Sequence, residues 1–142
     1  MTAEAPVEVR VTRRFNAPPE RVFDAWLDPE KAAKFLYATE EGEMVRVEIE
    51  ARVGGRYSIV ERRDGQDVDH TGEYLEIDRP HRLVFTLQVP LYSEAVDRVT
   101  VEIEPAGGGC ELTLVHETSP EWADQSGEGW SMILDSLAAA LP

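Results

Sequence analysis

Residues 98–141 read RVTVEIEPAGGGCELTLVHETSPEWADQSGEGWSMILDSLAAAL, and this stretch decides the fold. Its first part alternates: Val99, Val101 and Ile103 stand between Arg98, Thr100, Glu102 and Glu104, the period-two signature of a strand with one buried face. After Pro105-Ala106-Gly107-Gly108-Gly109 the alternation resumes in CELTLVHE, with Leu112, Leu114 and His116 on the inward side. The glycines separate two strands, so they read as a hairpin turn; a phosphate loop would need a helix behind them. Then the period changes. Trp130, Ile133, Leu134, Leu137 and Leu141 recur at helical spacing and give an amphipathic helix with one wide apolar face. Its firm part is expected after Glu128, because Gly127 and Gly129 each weaken a helix by about 1 kcal/mol. Ser119-Pro120-Glu121 offers an earlier start, and residues 120–127 are left open between the two.

Working outward, residues 44–89 keep the period of two. Val45, Val47, Ile49 and Ala51 alternate with charged residues, and Gly54-Gly55 turns the chain into RYSIVER, where Tyr57 and Ile59 share a face. Asp64-Gly65 turns it again into HTGEYLEI, and Asp78-Arg79-Pro80 breaks that strand. Leu83, Phe85, Leu87 and Val89 then share a face of the next, which ends in a loop over residues 90–95. At the other end VEVRVTRRF, residues 7–15, is a strand with Val7, Val9 and Val11 inward. Pro18-Pro19 opens a short helix with Phe23, Trp26 and Leu27 on one side, and Asp28-Pro29-Glu30 caps a second that runs towards Phe35. The order is β-αα-β6-α: seven strands, two short helices after the first, and a C-terminal helix, an α+β chain.

The 142 residues carry 14 Lys and Arg against 28 Asp and Glu, a net charge of −14. A chain of this length buries roughly 68% of its unfolded surface, so residues 1–142 are expected to form a single domain, with residues 1–6 as a flexible tail. The negative charge excludes nucleic acid and anionic membranes as partners, since both bind through Lys and Arg. Cys110 stands alone, no signal peptide is expected, and no run approaches 18 apolar residues, which together suggest a cytoplasmic protein. His70, His81 and His116 lack the spacing of zinc ligands, and Gly127-Glu128-Gly129 follows no strand, so neither a metal nor an organic cofactor is expected.

Five motifs in order, APPERVFDAWLDPE, GGRYS, GEYLEIDRPHRLVFT, GGGCELTLVHE and GWSMILDSLAAAL, resemble bacterial proteins related to the activator of the heat-shock-protein-90 ATPase. These belong to the superfamily of steroidogenic-acute-regulatory-like lipid-transfer domains, polyketide cyclases and birch-pollen-allergen-like proteins. The resemblance implies the helix-grip architecture: a curved seven-stranded antiparallel sheet wrapped around the C-terminal helix, with two short helices closing one end. It also implies a cavity between sheet and helix, but no single activity.

The side chains expected to face that space are Phe23, Trp26, Phe35, Tyr37, Tyr57, Ile59, Phe85, Leu87, Leu112, Leu114, His116, Trp130, Ile133, Leu134 and Leu137. Glu61, Asp97, His116 and Arg13 are the polar groups on the same registers. Two readings stay open: a solid core, or a pocket that takes a small apolar or aromatic molecule. A binding protein is the leading expectation. The alternatives are a cyclase, aromatase or hydrolase with His116 or Glu61 as general acid or base and Tyr57 or Tyr74 as hydrogen-bond donors, and a protein-interaction module.

Overall fold

The computed structural model describes residues 6–37 and 42–141. All but Pro6 of the expected tail over residues 1–6 falls outside them. The chain runs β1 (Val7–Phe15), α1 (Pro19–Ala25), α2 (Pro29–Phe35), β2 (Glu43–Ile49), β3 (Arg56–Arg63), β4 (Gln66–Asp78), β5 (Arg82–Leu87), β6 (Asp97–Ala106), β7 (Gly109–Thr118) and α3 (Ala123–Ala140). The strands make one antiparallel sheet in the order β1-β7-β6-β5-β4-β3-β2. Chain order is kept from β2 to β7, so each of these strands pairs with its neighbours in sequence. Only β1 joins from a distance, carried across by the helix pair.

Local chemistry accounts for the elements. Pro19 sits in the first turn of α1, and the Asp28 side chain accepts from the Glu30 amide at 2.9 Å to cap α2. Asp64 and Gly65 have φ of 51° and 78°, the left-handed pair that a two-residue hairpin needs between β3 and β4.

The sheet bends at two irregularities, between Met44 and Arg46 against β3 and between Tyr74 and Glu76 against β5. The first alters the expected face of β2. Met44 joins Val47 and Ile49 against the core, while Val45 turns outward at 44% exposure and Ala51 lies beyond the strand.

α3 also begins earlier than its glycines suggest, at Ala123, behind a single 3-10 turn over Pro120–Trp122. Gly127 explains part of this: a Cβ there would lie 3.4 Å from Val9 Cγ1, so the small residue brings the helix against β1. Packing of this kind outweighs a weak helix propensity. Arg13, from β1, ties the same surfaces together by donating to Ser131 Oγ at 2.6 Å and pairing with Asp135 at 3.0 Å.

The core lies between the inner sheet face and the three helices. Phe23, Trp26, Phe35, Leu112, Leu114, Leu134 and Leu137 are all at most 1% exposed there.

Candidate functional site

Under the middle of the sheet the space is filled. The Trp26 ring lies 5.3 Å from Phe35, 6.3 Å from Phe85 and 6.2 Å from Trp130, tying α1, α2, β5 and α3 together. Tyr57 crosses the β3–β4 ladder above Gly72, where a Cβ would fall 2.6 Å from its ring and 1.9 Å from the Thr86 carbonyl. Only a residue without a side chain lets Tyr57 lie there and donate from its hydroxyl to Thr86 O at 2.7 Å. Tyr37, at φ 60°, stacks on His70 at 4.3 Å and places its hydroxyl 3.2 Å from that of Tyr57. What remains among Trp26, Leu36, Tyr57, Tyr74, Leu83 and Phe85 is about 10 Å³, the room of one water. Burial pushes the Tyr37, Tyr57 and Tyr74 hydroxyls well above the usual phenol range and pushes His70 down to about 4.

Two open pockets lie away from the middle of the sheet: one of about 300 Å³ where Arg14, Phe15 and Asn16 face Ala138 and Leu141 at the end of α3, and a more apolar one at the other end of that helix. Past the end of β5, Gln88 still bridges to Thr71; the segment from Val89 to Val96 then leaves the sheet and returns at Asp97, and the start of α3 stands opposite. Between them is a pocket of about 210 Å³ lined by Leu87, Val89, Tyr92, Ser93, Ala95, Asp97, His116, Thr118, Trp122, Gln125 and Ser126. Most of this wall is carbon. Tyr92, in the pocket wall, is 54% exposed, and Leu91 and Val96 of the same segment are exposed by 44% and 60%.

His116 sits at the base of the pocket with both ring nitrogens engaged. Trp130 Nε1 donates to Nδ1 at 2.8 Å, and Nε2 lies 2.9 Å from Asp97 Oδ2. An indole N–H can only donate, so Nδ1 carries a lone pair and the imidazole proton is on Nε2, donated to Asp97. The chain Trp130–His116–Asp97 thus runs from the buried helix face to the pocket wall. It fixes one tautomer and leaves neither nitrogen for a substrate.

The residues expected from the sequence therefore divide. Leu87 and His116 line the pocket, and Asp97 joins them. Phe23, Trp26, Phe35, Tyr37, Tyr57, Ile59, Phe85, Leu112, Leu114, Trp130, Ile133, Leu134 and Leu137 are packed in the core instead, because three helices supply enough side chains to fill the middle of the sheet. Glu61 is buried at the far end of β3 and pairs with Arg63, and Arg13 is committed to α3. Trp122, Gln125 and Ser126 lie in residues 120–127, whose conformation the sequence leaves open, so periodicity assigns them no face. Tyr92 and Ala95 escaped because a loop carries no periodicity, although three apolar side chains near its turn, Leu91, Tyr92 and Val96, were a usable signal. Among the described residues no group of three His, Cys, Asp or Glu is placed to hold a metal, and no helix is long and apolar enough to cross a membrane.

A family profile described as Activator of Hsp90 ATPase homolog 1-like protein matches residues 16–142. The chain belongs to this family. The Activator of Hsp90 ATPase homolog 1-like proteins include a solved structure from Aeromonas hydrophila, 21% identical over 95% of this chain and 92% of that one, with a TM-score of 0.83. A protein from Chromobacterium violaceum is 33% identical, covers 93% of this chain and 94% of that chain, and superposes with a TM-score of 0.82. A protein of unknown function from Staphylococcus aureus reaches a TM-score of 0.84 at 19% identity, covering 95% of this chain and 93% of its own. Likeness at 19% and 21% identity speaks to the helix-grip fold alone. No curated protein matches the sequence.

Proposed function

We propose that this member of the family is a single-domain cytoplasmic binding protein that holds a small apolar or aromatic molecule in the pocket between the β5–β6 segment and the start of α3. The observation that carries this reading is the pocket itself, about 210 Å³ with walls of Leu87, Val89, Tyr92 and Trp122. A dry cavity of about 150 Å³ takes up benzene, so this one has room for a single ring with a short substituent. Binding is favoured over acid–base turnover because both nitrogens of His116 are committed within the protein. The cytoplasmic assignment rests on a single cysteine, Cys110, which is buried and whose thiol is pushed up by that burial.

Thermal melting with indole tests the reading. A ligand that binds only the folded state raises the melting temperature with its concentration. Indole is expected to do so for the wild type and to lose its effect in Leu87→Trp, which places an indole of the protein's own in the pocket. If indole shifts neither protein, or shifts both equally, the pocket is not a binding site.

A further inference from the structure

The pocket is apolar with one carboxylate in its wall, and that combination constrains the charge of what enters. Asp97 gives Oδ2 to His116 Nε2, while Oδ1 has no protein partner among the described residues. Its side chain is 24% exposed, so the free oxygen is half sheltered rather than lost in solvent. No Lys or Arg lines the pocket, and the neighbouring Arg98 reaches Glu117 instead. The remaining polar side chains, Ser93, Thr118, Gln125 and Ser126, are uncharged. A carboxylate in a largely apolar wall without a cation is incompletely compensated, and a ligand bearing a positive hydrogen-bond donor would complete it. The net charge of −14 draws cations towards the protein in the same sense.

We propose, resting on the reading of this pocket as a binding site, that it selects a one-ring apolar amine whose ammonium group donates to Asp97 Oδ1 while the ring lies against Leu87, Val89, Tyr92 and Trp122. The His116 hydrogen bond holds the Asp97 carboxylate in place, and Trp130 holds His116, so the acceptor is fixed from the core before the ligand arrives. The start of α3 also borders the pocket and on its own would favour an anion. Asp124 in its first turn opposes that preference, and Asp97 lies in the pocket wall itself.

Three probes of nearly equal size separate the contributions: phenethylamine, phenethyl alcohol and hydrocinnamate, titrated calorimetrically into the full chain at neutral pH. Phenethylamine is expected to bind about tenfold more tightly than phenethyl alcohol, the scale of one charge-assisted hydrogen bond, with hydrocinnamate weakest. Asp97→Asn keeps an acceptor for His116 and is expected to remove the difference between amine and alcohol, the amine losing about tenfold relative to the alcohol in the same variant. As a check that needs no variant, the amine-to-alcohol ratio of the wild type is expected to fall as salt rises. Equal binding of amine and alcohol, or a ratio indifferent to salt, overturns the amine assignment and leaves the pocket standing as an apolar site. A preference for hydrocinnamate overturns it too, in favour of the helix terminus. If none of the three probes binds, the proposed function falls with it.

Discussion

Beneath the middle of the sheet Trp26 meets Phe35, Phe85 and Trp130 and leaves about 10 Å³ unfilled; past Leu87 the same sheet face opens onto about 210 Å³. Both regions are built on alternating strands and covered by α3. They differ in what comes from the other side. The middle receives α1 and α2 as well, and their aromatic side chains interdigitate with those of the strands to the density expected of a protein interior. The end receives only the 3-10 turn, the first turn of α3 and an irregular segment, which cannot place large side chains at regular intervals. This apolar pocket therefore forms where the covering layer is thin, whatever the apolar content of the strands beneath it.

The largest expected effect tests that distinction with one residue type. Trp26→Ala should destabilise the protein by about 3–5 kcal/mol, because its ring neighbours come from three different elements and cannot collapse into the void. Trp122→Ala, at the lip of the pocket, should cost under about 1 kcal/mol. Chemical denaturation measures both, and comparable losses would show that the end of the sheet is packed as tightly as its middle.

A second contrast concerns the two buried histidines. Burial holds His70 at about 4, with the Ile59 carbonyl opposing the shift and Arg63 adding to it. Unfolded, the ring titrates near its ordinary 6.5. Between those values the unfolded chain holds more protons than the folded one, so stability rises with pH through the window and falls on acidification. Moving from pH 7 to pH 4 should remove roughly 3 kcal/mol through this ring. His70→Asn keeps a donor for Ile59 O and removes the titration, so the difference between the two proteins' stability–pH curves isolates the effect. Parallel curves would mean that the middle of the sheet does not exclude charge.

Overpacking gives the third. Leu114 is fully buried in the filled region, and Leu87 is half-buried at the pocket. Leu114→Trp should cost about 1–3 kcal/mol or more, whereas Leu87→Trp should change stability by less than about 1 kcal/mol, since it grows into open space. Reversal of that order would relocate the cavity to the middle of the sheet.

Much of this architecture was legible in the sequence. Period-two runs from Val7 to His116 mark every strand, and Trp130 to Leu137 mark the helix that covers them. Asp28-Pro29 and Asp64-Gly65 mark a cap and a turn through the conformations those residues favour. The pocket was not legible, for two physical reasons. Periodicity reports which face a side chain takes, but not how much volume the opposing layer supplies, so Tyr57, Phe85 and Leu114 read equally well as pocket wall and as filled core. Residues 90–96 have no period at all, and the start of α3 was hidden by Gly127 and Gly129, although Gly127 packs against Val9. His116 and Asp97 were both visible as inward polar residues, yet their mutual contact depends on the β6–β7 register, which sets His116 opposite Val99, two residues beyond Asp97.

The smallest expected effect bears on how the filled region governs the open one. Trp130 belongs to the core, yet its indole N–H fixes the proton of His116 and, through His116, the position of the Asp97 carboxylate at the pocket. Nitrogen chemical shifts should show Nδ1 of His116 bare and Nε2 protonated in the wild type. Trp130→Phe keeps an aromatic ring against Trp26 and removes the donor, at a stability cost of about 1 kcal/mol for the lost hydrogen bond. With the donor gone, Nδ1 is free to take a proton. The ring should then sample both tautomers, seen as the two nitrogen shifts moving towards a common average. Should the tautomer stay unchanged in the variant, Asp97 alone would be sufficient to orient His116, and the two regions would be neighbours without being coupled.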